Sequence, residues 1–167
     1  IKVCGVLFEA GDKQSETLLK VGNEKAEVSH SDNPICFSDV YFRVGGANYK
    51  GKVKNCVTIN SNDVIGDNFW VWRADHGDNV GWDMNTAPNG IVINGDNVTM
   101  YGLFVEHFQE YQTIWNGNGG KLYFYQSEMP YDAPNQKYYM SHNGKVKGYA
   151  SFKIGDEVND FYGCGLG

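Results

Sequence analysis

Apolar residues along the chain do not keep the i, i+3, i+4, i+7 spacing of a buried helix face for three turns anywhere, and Gly or Asn interrupts most candidate windows. What recurs is short runs rich in β-branched and aromatic residues, bounded by Gly, Asn, Asp and Ser. Strands are predicted at 2–9, 17–21, 37–44, 56–59, 68–73, 91–93, 98–106, 113–115, 121–126 and 149–154. Aligning the Asn-rich turns exposes a repeat. Ile93-Asn94-Gly95-Asp96-Asn97 leads into 98–105, and Trp115-Asn116-Gly117-Asn118-Gly119 leads into 121–126, with Asn94 and Asn116 separated by 22 residues. An earlier copy, Ile59-Asn60-Ser61-Asn62-Asp63, precedes these by a longer step, from Asn60 to Asn94, and the Gly-rich stretch 75–88 supplies the extra length.

A repeat of about 22 residues with strands, Asn turns and no helix fits coils that bury their inner faces only when stacked. The expected fold class is all-β, a right-handed parallel β-helix of about seven coils. A sandwich or barrel is the competing fold, but it would call for turns at intervals of roughly 8 to roughly 12 residues and clean two-fold alternation. The 167 residues allow one domain, so 1–167 reads as a single β-helix segment. The sequence opens at Ile1 with neither an initiator methionine nor a signal-peptide pattern, so the expectation is a processed chain or a portion of a longer or multi-chain protein.

Composition sharpens this picture. There are 21 Gly, 17 Asn and 24 aromatic residues, a turn-rich β composition with many potential sugar-stacking rings. Charged residues make up 20% and hydrophobic ones 41%, which excludes a disordered chain. The net charge of −6 has the wrong sign for neutralising phosphates or anionic lipids, so nucleic acid and membrane surfaces are not expected partners. No run reaches the roughly 18 to 20 apolar residues of a spanning helix.

The four cysteines, Cys4, Cys36, Cys56 and Cys164, form no C-x-x-C, so no metal site is expected. One or two disulfides, or four small buried hydrophobes, both remain open. With the sequon Asn97-Val98-Thr99 the disulfide reading would suit a secreted protein. His30, His76, His107 and His142 offer no ligand-pair spacing and read as structural, and no nucleophile elbow or phosphate loop is present.

The coil arithmetic also places chemistry. The step from Trp72 to Glu106 equals that from Asn60 to Asn94, and the step from Glu106 to Glu128 equals that from Asn94 to Asn116, so an aromatic and two acids share one phase of the repeat. Equivalent positions of adjacent coils sit about 4.8 Å apart. Two stacked carboxylates suit the acid and base of glycoside hydrolysis. They would equally suit a solvated outer face. Trp72-Arg73-Ala74-Asp75-His76 and residues 125–132 surround this column with rings and hydrogen-bonding groups suited to sugars. Of the four tryptophans, Trp70, Trp72, Trp82 and Trp115, at least two are expected in the core.

The stretch 64–77, Gly81-Trp82, Asn85-Thr86-Ala87, the run 101–108 and Tyr125-Gln126-Ser127-Glu128-Met129-Pro130-Tyr131-Asp132 resemble glycoside hydrolase family 55, the laminarinase-like exo-β-1,3-glucanases. The resemblance runs from near Gly5 to Gly167. It implies a secreted, extracellular hydrolase of β-1,3-glucan with inverting chemistry and no cofactor, built from two β-helices, of which this chain would be part of the second. By position, Glu128 matches the general acid and Glu106 the acid that helps hold the hydrolytic water. Trp72, Asp75 and Tyr131 match residues lining the sugar pocket, Trp72 as a stacking platform. Inverting pairs usually keep their carboxyls roughly 6.5 to 9.5 Å apart, more than one coil spacing, so the two rotamers must diverge. Further polypeptide would complete the coils, and the isolated chain would be poorly catalytic. A non-catalytic extracellular carbohydrate-binding or structural β-helix is the alternative. An eliminase of the pectate-lyase kind would need a calcium-binding acid cluster, which the sequence lacks.

Overall fold

The computed structural model describes residues 1–24, 27–47 and 50–167. Its strands in chain order are β1 (Lys2–Glu9), β2 (Ser15–Val21), β3 (Ile35–Val44), β4 (Val53–Ile59), β5 (Val64–Arg73), β6 (Asn89–Ile93) and β7 (Thr99–Glu106), then β8 (Thr113–Trp115), β9 (Gly120–Glu128), β10 (Met140–Ser141), β11 (Val146–Lys147), β12 (Phe152–Ile154) and β13 (Phe161–Leu166). Two parallel sheets account for most of them, in the orders β1-β3-β5-β7-β9-β13 and β12-β8-β6-β4-β2, with β10 and β11 forming a small antiparallel pair. The chain alternates between the two sheets as it climbs, which is the parallel β-helix the repeat implied. All ten predicted strands are present, several with shifted ends. Three strands are not predicted: β10 and β11 are two residues each, and the Gly-rich sequence of β13, Phe161-Tyr162-Gly163-Cys164-Gly165-Leu166, reads as a turn.

The larger sheet has six rungs among the described residues, not about seven. Its register steps are 34 (Lys2 to Cys36), 29 (Ile35 to Val64), 34 (Ile65 to Thr99), 22 (Thr99 to Lys121) and 41 (Gly120 to Phe161). One coil alone has the bare 22-residue length, and the others carry insertions on their turns.

The two sheets face each other across a core of stacked apolar rows. Val40, Phe69 and Leu103 form one, and Phe42, Val71 and Val105 another, each residue buried and in register with the next. The smaller sheet contributes Val57 and Ile91, then Ile59, Ile93 and Trp115. Each such side chain contributes about 1.5 to 3 kcal/mol relative to exposure. Trp115 is the tryptophan that lies wholly in this core, and Trp70 is 40% exposed, so the expectation of two buried indoles is corrected.

Turns are fixed by the repeat itself. Asn94 Nδ2 donates to Asn60 Oδ1 at 2.8 Å, and Asn116 Nδ2 donates to Asn94 Oδ1 at 2.8 Å, so the three repeat asparagines form one hydrogen-bonded ladder. Gly117 follows because the carbonyl of Gly95, one coil earlier, fills the space its Cβ would need. All four cysteines are free thiols, and Cys56 alone is buried, where desolvation pushes its thiol well above the usual range. Neither the disulfides nor four buried hydrophobes describe them. Among the described residues no helix is long and apolar enough to cross a membrane.

Candidate functional site

The outer face of the larger sheet presents two adjacent rows, because alternate residues of a strand point away from the core. One row is Glu9, Arg43, Trp72, Glu106 and Glu128, each paired in register with the next. The column inferred from spacing, Trp72, Glu106 and Glu128, is therefore present, one residue per coil. The second row, two residues earlier on each strand, is Leu7, Tyr41, Trp70, Phe104 and Gln126. At the first three rungs the rows enclose a cleft of about 400 Å³ lined by Leu7, Tyr41, Arg43, Trp70 and Trp72.

The acids are directed to different partners. Trp70 Nε1 donates to Glu106 Oε2 at 2.8 Å, drawing that carboxylate toward the earlier coil. Glu128 Oε2 lies 3.7 Å from His107 Nε2, and Glu128 Oε1 accepts from Gln126 Nε2 at 3.4 Å. Register pairs the two acids, and each is held by its own partners: Glu106 by Trp70 of the earlier coil, Glu128 by His107, which follows Glu106, and by Gln126 on its own strand. The Trp72 ring stacks on Trp70 with centroids 5.3 Å apart and planes 21° from parallel, and the His76 ring lies tilted against it with centroids 5.3 Å apart.

Asp75 and Tyr131 meet beyond this column. The Tyr131 phenol donates to Asp75 Oδ2, and His76 Nδ1 lies 2.8 Å from Asp75 Oδ1. Burial by itself would raise the Asp75 carboxyl. The bonds from Tyr131, His76 and its own backbone, with the charge of His107, outweigh it and hold the carboxyl below its ordinary value. The same bond, helped by nearby acids, pushes the exposed Tyr131 phenol up to about 12.

All five residues singled out from the sequence, Trp72, Asp75, Glu106, Glu128 and Tyr131, are thus gathered on one face, joined by shared partners. Three others belong with them. Trp70 had the same outward phase as Trp72, a signal available in the alternation. His107 was read as structural. Its side chain is 5% exposed and sits with Nε2 at 3.9 Å from Asp75 and 3.7 Å from Glu128. A left-handed backbone at His107, φ 66°, turns the ring into the site, and no periodicity argument anticipates that. Arg73 occupies a core-facing phase with no exposure, paired with Asp132. A charge at an apolar phase was itself a sign of a buried partner. Among the described residues no group of three or more His, Cys, Asp or Glu is gathered to hold a metal ion.

Comparison with known proteins places the chain. The LAM55 pectate lyase-like domain profile matches residues 1–128. The chain is 48% identical over 167 residues to an exo-β-1,3-glucanase of Streptomyces sp. (strain SirexAA-E / ActE), a match covering 100% of this chain and 27% of that protein. The structure of sacteLam55A from Streptomyces sp. SirexAA-E aligns with a TM-score of 0.93 and 49% identity over 97% of this chain and 29% of that one. A variant of sacteLam55A in complex with glucose aligns with a TM-score of 0.90 and 49% identity over 95% of this chain and 28% of the other. The chain spans little more than a quarter of the length of these relatives.

Proposed function

Because the chain belongs to the LAM55 pectate lyase-like domain family, we propose that it carries the acid-bearing face of a glycoside hydrolase that cleaves β-1,3-glucan. The observation that supports this most directly is the register column Trp72, Glu106 and Glu128, with the two acids held by different partners. Glu128 is half-exposed and next to His107, where it can reach a glycosidic oxygen and act as general acid. Glu106, steered by Trp70, helps to hold the hydrolytic water. Trp72 stacks on the sugar face, and Asp75 with Tyr131 takes hydroxyls at the pocket wall. The outcome is a single displacement with inversion, the course that requires room for a water between the base and the sugar. This chemistry needs no cofactor.

Among the described residues the edge strands β1 and β13 each pair on one side alone, which suits further polypeptide stacking on the solenoid and completing the pocket. We propose that the protein works in the extracellular space, where a glucan too large to enter a cell would be met.

The test is hydrolysis of β-1,3-glucan by the complete protein and by its Glu128→Gln variant. Removing a general acid costs roughly 100-fold to 10,000-fold, with circular dichroism unchanged. Retained turnover would reject Glu128 as the acid. Glucan binding by the wild type without release of reducing sugar would favour the non-catalytic carbohydrate-binding alternative.

A further inference from the structure

Arg73 is buried without exposure, yet every one of its five N–H donors has an acceptor. Nε donates to Asn85 O at 2.9 Å, and Nη1 to His107 O at 3.2 Å and Asp132 Oδ1 at 2.9 Å. Nη2 donates to Gly81 O at 3.2 Å and Asp132 Oδ2 at 2.8 Å. Trp82 covers the guanidinium, with its ring centroid 5.7 Å from the central carbon. These partners come from the loop after β5, the end of β7 and the segment after β9. Those three segments also carry Asp75, His107 and Tyr131.

Tyr131 has little else to hold it. It lies outside the strands, 67% exposed, with its ring edge against His107 at 4.9 Å. Its flanking residues are anchored instead, Pro130 by burial and Asp132 by the two-pronged bond to Arg73. A planar fork matched to both carboxylate oxygens fixes direction as well as distance.

We propose that the Arg73–Asp132 pair is a positioning device that sets Tyr131 across Asp75 and so holds the sugar-facing wall of the pocket in its binding geometry. Glu106 and Glu128 are carried by β7 and β9, whose ladder bonds do not involve Arg73. The pair therefore acts on how the sugar is held more than on the bond-breaking groups. The kinetic arm of this inference rests on the glucanase reading, and the spectroscopic arm does not.

The experiment uses the complete protein with Arg73→Lys and, separately, Asp132→Asn. Lysine keeps the charge but cannot form the fork. Asparagine leaves Arg73 its three carbonyl acceptors, so that variant decides the question alone if Arg73→Lys fails to fold. Laminarin kinetics should show KM raised about tenfold with kcat within about twofold, the pattern of lost binding geometry. Carbon-13 NMR of labelled tyrosine, with Tyr131→Phe to assign the signal, should show the Tyr131 phenol falling from about 12 toward the ordinary value near 10. A folded variant with unchanged KM and an unmoved Tyr131 titration overturns the proposal. A shifted titration in a protein that hydrolyses no glucan even as wild type supports the positioning role and rejects the substrate.

Discussion

Trp70 Nε1 and Glu106 Oε2 are joined at 2.8 Å although the residues lie one coil apart, and this bond ties the Glu106 carboxylate to the coil before its own. Its register partner, Glu128, stands on the following rung, about one strand spacing away, so the bond holds Glu106 on the side toward β5. A hydrogen bond to a charged group is worth about 1.5 to 3 kcal/mol. Trp70→Phe keeps the ring against Trp72 and removes the donor. We expect kcat on β-1,3-glucan to fall roughly tenfold to a hundredfold, with the fold intact and the melting temperature lowered by several degrees at most. Unaltered kcat in that variant would mean that Glu106 needs no steering.

The asparagine ladder makes a prediction about the fold itself. Asn94 sits in its middle, donating to Asn60 and accepting from Asn116, both at 2.8 Å. At about 1 kcal/mol for each bond, Asn94→Ala should destabilise by about 2 kcal/mol. Asn116→Ala removes only the bond from Asn116 to Asn94, so its cost should be about half. Urea denaturation of the three proteins gives both differences, and equal costs for the two alanine variants would show that the bond from Asn94 to Asn60 carries no weight.

That ladder and the acid column were legible in the sequence for the same reason. Adjacent coils stack equivalent residues, so two equal pairs of steps along the chain already align Asn60, Asn94 and Asn116, and Trp72, Glu106 and Glu128. The coil count was not legible, because the steps from Ile35 to Val64 and from Gly120 to Phe161 contain no repeated turn that would mark them. His107 and Arg73 escaped for a different reason. His107 enters the site through a left-handed backbone, and Arg73 acts through Asp132, far along the chain. Neither a backbone sign nor a distant partner is written in the periodicity of a single chain.

The Tyr131–Asp75 bond should leave a signature in pH. The Asp75 carboxyl is lowered in the folded protein, so its stabilising contribution is present above the unfolded value near 4 and is lost as pH falls through the lower folded value. The Tyr131 phenol is raised to about 12, so its contribution is present below the unfolded value near 10 and is lost as pH rises through the folded one. The stability difference between wild type and Tyr131→Phe should be flat from about pH 4 to pH 10 and shrink at both ends. A difference that stays constant down to strong acid would mean that Asp75 is not the acceptor that matters.

Phe124 is the misfit in a column that otherwise obeys simple sterics. At the bend of each rung in the larger sheet the backbone is left-handed, with φ of 66° at Gly5, 53° at Asp39, 54° at Asn68, 66° at Gly102, 65° at Phe124 and 66° at Gly165. Glycine, aspartate and asparagine tolerate this conformation, and a bulky residue does not, at a cost of roughly 1 to 2 kcal/mol. The phenyl ring is 56% exposed and recovers part of that against Phe104, with centroids 5.7 Å apart. Asparagine at this position removes most of the strain, as Asn68 does while donating to Asp39 at 2.7 Å. Alanine keeps the strain and loses the ring contact. Phe124→Asn should therefore be neutral or stabilising by up to about 1 kcal/mol, and Phe124→Ala destabilising by about 1 kcal/mol. Thermal or urea unfolding distinguishes them: equal losses in both would mean that the left-handed backbone costs Phe124 nothing and that its ring contact alone sets the stability of this bend.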